Sequence, residues 1–204
     1  LCVHFKALNI ADRLEDSYEK AETYVFHLIP AFQMLLKGRA FYYLKKAVNM
    51  ANKIKRIDLL AFAQSFGGAI YYYDAKWRNA RINFENSIES YKSVGDFWGG
   101  ITPIEHIGLI EEYSGNLGNS INFFNKEKQL CEKCNDLRGY LNACGTLLLI
   151  KKLVGGDNSE EIVNIKRRKN EINDSLVQTG VLKNKIKVFI IDNELNEAFN
   201  SLKI

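Results

Sequence analysis

Apolar residues recur along most of this chain at steps of three and four, the spacing that puts side chains on one face of an α-helix. Trp77, Ala80, Phe84, Ile88 and Tyr91 form one such stripe, and Leu60 to Tyr73 carries apolar or small residues at the same spacing. Asp74 and Ala75 separate the two, so this stretch reads as a pair of helices joined by a short turn. Gly95 and Asp96 close it: glycine most readily takes the left-handed conformation that ends a helix, and the aspartate can cap the next one. The same plan follows in Ile101 to Tyr113, a break at Ser114, Gly115 and Asn116, and a second helix through Ile121, Phe124 and Leu130. It returns in Leu137 to Leu153, breaks at Gly155 and Gly156, and continues through Ile162 and Ile165. Ahead of these lies a fainter pair, with a helix from about Glu19 to Leu36, a turn at Gly38, and a second helix through Ala40, Ala47 and Met50 toward Asp58.

Comparison of the chain with itself supplies the period. At an offset of 40 residues Gly68 matches Gly108, Tyr73 matches Tyr113, Phe84 matches Phe124 and Asp96 matches Asp136, with Ala75, Gly115 and Gly155 in register at the turns. The first unit reads shorter, 37 residues from Gly38 to Ala75. Hairpins are therefore expected at about 19–57, 58–96, 97–136 and 137–175, behind an N-terminal partial helix and within a repeat region 1–180. Residues 181–204 carry Val188 to Ile191 and then Glu194, Leu195, Ala198 and Leu202 at helical spacing. They are expected to supply capping helices, because a stack of repeats leaves its last apolar face open. The expected fold class is all-α, an α-solenoid of antiparallel helix hairpins.

These positions resemble the tetratricopeptide repeat. Gly68, Tyr71, Ala75, Ala80, Phe84 and Ser87 fall on that family's series of small and aromatic residues, and Gly108, Gly115, Ser120 and Phe124 follow it nearly as well. The unit from Leu148 to Asn164 keeps the turn glycine, Gly155, but has Glu160 and Asn164 where small and aromatic residues belong. The resemblance covers about residues 35–165. The period exceeds the roughly 34 residues of the standard repeat, and the run from Tyr91 to Gly99 is similar to the long MalT-like repeats of large bacterial signalling ATPases, cyclases and kinases. The resemblance implies a right-handed superhelical stack whose first helices line a concave, partner-binding face. By register it implies Phe62, Ser65, Ala69, Tyr72 and Tyr73 on that face, then Thr102, Glu105, Leu109 and Glu112, then Asn142, Gly145 and Leu149.

Charge narrows the partners. Lys and Arg number 28 against 24 Asp and Glu, too even a balance for a dedicated nucleic-acid binder, so nucleic acid is not the expected partner. The longest apolar runs, such as Leu147 to Ile150, fall far short of the roughly 18 residues that suggest a membrane span, and no membrane partner is expected. The 4 cysteines, Cys2, Cys131, Cys134 and Cys144, are too few and too clustered to staple such a chain, which points to a reducing cytoplasm. The opening at Leu1 reads as a piece of a longer protein, and no Gly-x-x-x-x-Gly-Lys-Ser/Thr loop occurs. Any ATPase or output domain is expected outside this segment.

Candidate chemistry is sparse. Cys131 and Cys134 are spaced as half a metal site, which Cys144 and His106 could complete for a structural zinc, but Cys131 stands where the previous unit has Tyr91 and reads as a small core residue. No metal or cofactor is expected. His4, His27 and His106 lie far apart and none neighbours a nucleophile motif. Glu111 with Glu112, and Glu160 with Glu161, are adjacent and so split around their helices, reading as solvated faces. The basic run from Lys166 to Lys169, with Lys183, Lys185 and Lys187, lacks interleaved aromatics and also reads as a solvated face. The triplets Tyr71 to Tyr73 and Phe41 to Tyr43 cannot wholly face a core, since successive helical residues turn by about 100°.

The expected function is therefore non-enzymatic: a protein- or peptide-binding module of a larger cytoplasmic signalling or transcriptional regulator. Its partner would be a peptide segment, a partner protein or another domain of the same polypeptide. The implied groove is aromatic and slightly acidic, suited to an apolar or basic segment. It lacks the paired Lys and Asn of the family's carboxylate-clamp members. The alternative is a sensor domain of a repeat-containing regulator, enclosing a signalling peptide or small ligand.

Overall fold

A computed structural model of the chain describes residues 2–168. The expected capping segment 181–204 and the end of the fourth hairpin lie outside the described residues. The described part is helical, with no strand. Its elements are α1 (Cys2–Ala11), α2 (Tyr18–Gln33), α3 (Lys37–Lys53), α4 (Ile57–Tyr73), α5 (Trp77–Ser93), α6 (Ile101–Tyr113), α7 (Leu117–Lys133), α8 (Leu137–Leu153) and α9 (Ser159–Arg168). The chain divides into two compact units, one ending at His106 and the other beginning at Ile107.

The turns set the register. A residue with positive φ stands at 35, 55, 75, 95, 115, 135 and 155, each 20 after the last. Around each, two backbone bonds close the preceding helix: at the first, Leu35 N–H donates to Phe32 and Leu36 N–H to Ala31, and at the last Gly155 donates to Lys152 and Gly156 to Lys151. This is the Schellman closure, which satisfies carbonyls the helix end would otherwise leave bare. The first hairpin therefore turns at Leu35, not at Gly38, which lies inside the first turn of α3. Counted from Leu35 to Ala75, the first unit has the same 40-residue period as the rest, not 37. Glycine attracted the turn assignment because it favours positive φ. Leu35, Lys55, Ala75 and Asn135 hold that conformation without being glycine.

Helices α3, α4, α5, α7 and α8 are each 17 residues long, whereas α6 has 13. Pro103 favours the later start, although α2 accommodates Pro30 within it. In a helix begun at Phe97 its ring would strike the carbonyl of Gly99, and an intrahelical bond would be lost. Beginning at Ile101 places Pro103 in the first turn, where its missing N–H costs nothing.

In the unit ending at His106, α2 packs on α3 and also directly on α4, and α4 packs on α3 and α5. Two adjacent glycines let α4 sit between its neighbours: a β-carbon on Gly67 would meet Leu44 of α3 at 2.9 Å, and one on Gly68 would meet the Phe84 ring of α5 at 2.5 Å. In the second unit Gly108 faces Phe124 in the same way, at 3.0 Å, and α8 packs on both α7 and α9. A small buried residue opens each of three second helices, Ala40, Ala80 and Ser120. The Ser120 hydroxyl donates to the Gly108 carbonyl at 2.9 Å, so the polar member of the series is satisfied.

Two glutamates read as solvated are not. Glu111 is buried, and so is Glu161, whose carboxylate accepts two bonds from Lys151 Nζ, both 2.9 Å, with Lys128 Nζ at 3.7 Å. Adjacent glutamates do split around a helix, but the split turns one of each pair inward. That is tolerable for Glu161 because cations from α7 and α8 meet it.

Candidate functional site

In the first unit α2 and α4 lie side by side and bring three phenylalanines together. Phe26 of α2 stands edge-to-face with Phe62 and Phe66 of α4, centroids 5.4 and 6.2 Å away at 72° and 85°. Phe62 and Phe66 are 4.7 Å apart. Such geometry sets the positive edge of one ring against the negative face of another. Phe62 and Phe66 are half-buried, while Phe26 keeps 51% of its surface exposed.

Further along α4, Ala69 and Tyr72 are half-buried and Tyr73 is 60% exposed. Tyr72 lies edge-on to Tyr73 at 5.5 Å and to His106 at 5.3 Å. His106 is held by its Nδ1–H, which donates to the Thr102 carbonyl at 2.8 Å, and its ring also packs on Phe84. Thr102 is exposed and Glu105 half-buried, whereas Ser65 is buried and offers a partner little surface. The neighbouring triplet behaves as helical rotation requires: Tyr43 is buried, Phe41 half-buried on Tyr71, and Tyr42 exposed.

The residues implied for the second unit are placed differently. Leu109 packs against the buried cluster of Phe124, Leu147 and Ile150. Gly145 and Leu149 are buried, and Glu112 and Asn142 are half-buried. Much of this set is therefore engaged in the core of its own unit. Cys131 and Cys144 are buried and Cys134 half-buried, all as free thiols. Burial pushes the Cys144 thiol up to about 11, so it stays protonated near neutrality. Among the described residues no group of three or more His, Cys, Asp or Glu side chains could hold a metal ion, and no helix is long and apolar enough to cross a membrane.

A polar network ties the α1–α2 connection to α2 and α3. Asp12 accepts from Tyr24 Oη at 2.8 Å, Lys46 Nζ at 2.8 Å and Tyr43 Oη at 3.1 Å. Burial alone would raise the Asp12 carboxyl, but the bonds from Lys46, Tyr24 and Tyr43 outweigh it and hold it below the ordinary carboxylate value. Burial, with Asp12 alongside, pushes the Tyr24 hydroxyl up to about 12. Nearby, the buried His27 accepts from Arg39 Nε at 3.0 Å and packs edge-on to Tyr43 and Phe5. These bonds tie the end of α1 to α2 and α3.

No protein-family model and no curated protein sequence matches the chain. The residues that sequence reasoning missed are Phe26 and Phe66, with Glu22 one turn before Phe26 on α2. The signal was present: Phe26 and Phe66 are 40 apart, and so are Glu22 and Phe62. A turn at Gly38 puts the first unit out of register with the others, so Phe26 does not align with Phe66.

Proposed function

We propose that the chain is a tetratricopeptide-like repeat module that binds a protein or peptide segment on the first-helix face of its N-terminal unit. The observation that carries this reading is the aromatic row on that face: Phe26 more than half exposed, backed by Phe62 and Phe66, with the exposed Tyr73 further along α4. Aromatic anchors held rigid by their neighbours bring contact area at little entropic cost, which is why they dominate binding energy in protein interfaces. The family assignment and its right-handed winding rest on the sequence resemblance, and so does the placement of the module within a larger cytoplasmic signalling or transcriptional regulator. The segment bound belongs either to another protein or to another domain of the same polypeptide. In this reading the module performs no catalytic step.

The test uses Phe26→Ala/Tyr73→Ala, because both side chains are largely exposed and their truncation leaves the core intact. Partners retained from a native lysate by the parent chain are identified by mass spectrometry and titrated directly against both forms. Loss of at least about tenfold in affinity supports the face, by the usual cost of removing an interface anchor. Equal affinities would sink it.

A further inference from the structure

The helices that build this face differ in charge from those behind it. In the first unit, α2 and α4 carry Glu19, Glu22 and Asp58, against one lysine, Lys20. The Lys20 ammonium is committed elsewhere: it donates to the Leu14 carbonyl at 2.7 Å and pairs with Asp16 at 3.5 Å. The second helices reverse the balance. All five charged residues of α3 are basic, Lys37, Arg39, Lys45, Lys46 and Lys53, and α5 adds Arg78, Arg81 and Lys92 to Glu85 and Glu89.

Position sharpens the point. Asp58 is already chelated by Arg56, at 2.9 and 2.6 Å, so it adds little net field. Glu22 lies four residues before Phe26 on α2 and therefore on the same side of that helix. The exposed ring of Phe26 thus has a carboxylate one turn away on its own helix.

We infer that this face takes a basic segment, one in which an Arg or Lys lies against the Phe26 ring beside Glu22 while an adjacent apolar residue packs on Phe62 and Phe66. The inference rests on the peptide-binding reading above and deepens it. A guanidinium or ammonium over an aromatic face is attracted by the ring quadrupole, and a nearby carboxylate adds to that attraction. An acidic segment would meet the like charge of Glu22 beside the ring, with Lys20 committed to Leu14 and Asp16 and no lysine on α4 to receive it.

The experiment pans a random dodecapeptide phage library against the intact chain, with Phe26→Ala as the counter-selection, and titrates the selected peptides against Glu22→Lys. Circular dichroism melts of both variants establish that each is folded. Phe26-dependent binders carrying more Lys and Arg than Asp and Glu, and weakened at least about tenfold by the charge reversal, are the expected result. Phe26-dependent binders that are neutral or acidic, or basic ones indifferent to the reversal, overturn the inference and leave the peptide-binding reading standing. An absence of any Phe26-dependent binder overturns both.

Discussion

The ring of Phe84 lies over Gly68 so closely that a β-carbon on that glycine would stand 2.5 Å from two ring carbons. Phe84 is fully buried, so its ring has nowhere to retreat. Gly68→Ala is therefore expected to overpack the α4–α5 contact and lower stability by about 1–3 kcal/mol. Gly38 is the internal control, since nothing lies within 4 Å of the place its β-carbon would take. Gly38→Ala should be neutral or stabilise by up to about 1 kcal/mol through helix propensity. Urea melts of the two variants check this, and equal effects would remove the close-approach account.

The turns offer a second test, in which space plays no part. At Gly115 an added β-carbon would meet nothing within 4 Å, yet φ is 79°. Gly115→Ala should therefore cost about 1 kcal/mol from backbone conformation alone. The converse substitution, Lys55→Gly at φ 54°, should gain a comparable amount in the folded state, offset partly by the greater freedom of the unfolded chain. Melting temperatures that move in opposite directions for the two variants are the expected outcome.

These turns also mark how far the sequence can be read. Ile101–Tyr113 and Leu137–Leu153 are helices bounded where periodicity and turn residues put them, because their stop signals are conspicuous. Leu35 and Lys55 announce nothing, since the left-handed conformation there is imposed by the closure of one helix against the start of the next. Gly38, three residues on, carries the stronger turn signal, and a turn there takes Phe26 out of the 40-residue register with Phe66. Glu161 was illegible for another reason. Whether a carboxylate can be buried depends on the cations that meet it, and Lys151 lies ten residues back on a different helix. Adjacent glutamates show that two side chains diverge on a helix, not that either meets a cation.

Acid should loosen the Asp12 network. The Asp12 carboxyl is held below its ordinary value in the folded protein, so unfolding takes up a proton in the range between the two values. Its stabilising contribution is complete above the unfolded value of about 4 and is lost as pH falls through the lower folded value. Tyr24 works in the opposite direction. Its hydroxyl is pushed up to about 12, so its contribution is complete below the unfolded value of about 10 and is lost as pH rises toward the folded one. Asp12→Asn should flatten the acid limb of a urea-midpoint profile between neutrality and pH 3, while leaving the limb due to other carboxylates. An unchanged acid limb would mean that the three bonds to Asp12 carry no net stability.

The buried pair of Glu161 and Lys151 ties α9 to α8 and should be asymmetric under mutation. Glu161 is fully buried, whereas the Lys151 side chain keeps 20% of its surface. Removing the carboxylate leaves a largely buried ammonium facing a neutral group, with Lys128 a second cation close by. Removing Lys151 leaves Glu161 with Lys128 still within 3.7 Å. Glu161→Gln is therefore expected to cost more than Lys151→Met: about 2–3 kcal/mol against about 1, below the full cost of breaking a buried pair because both lysines reach water. The loss should be local. Amide exchange of α9 should accelerate in Glu161→Gln while α4 and α5, in the other unit, exchange as before. If α9 exchanges at the parent rate, apolar contacts such as that of the buried Ile165 hold it to α8, and the ion pair serves only to neutralise a carboxylate the helix has turned inward.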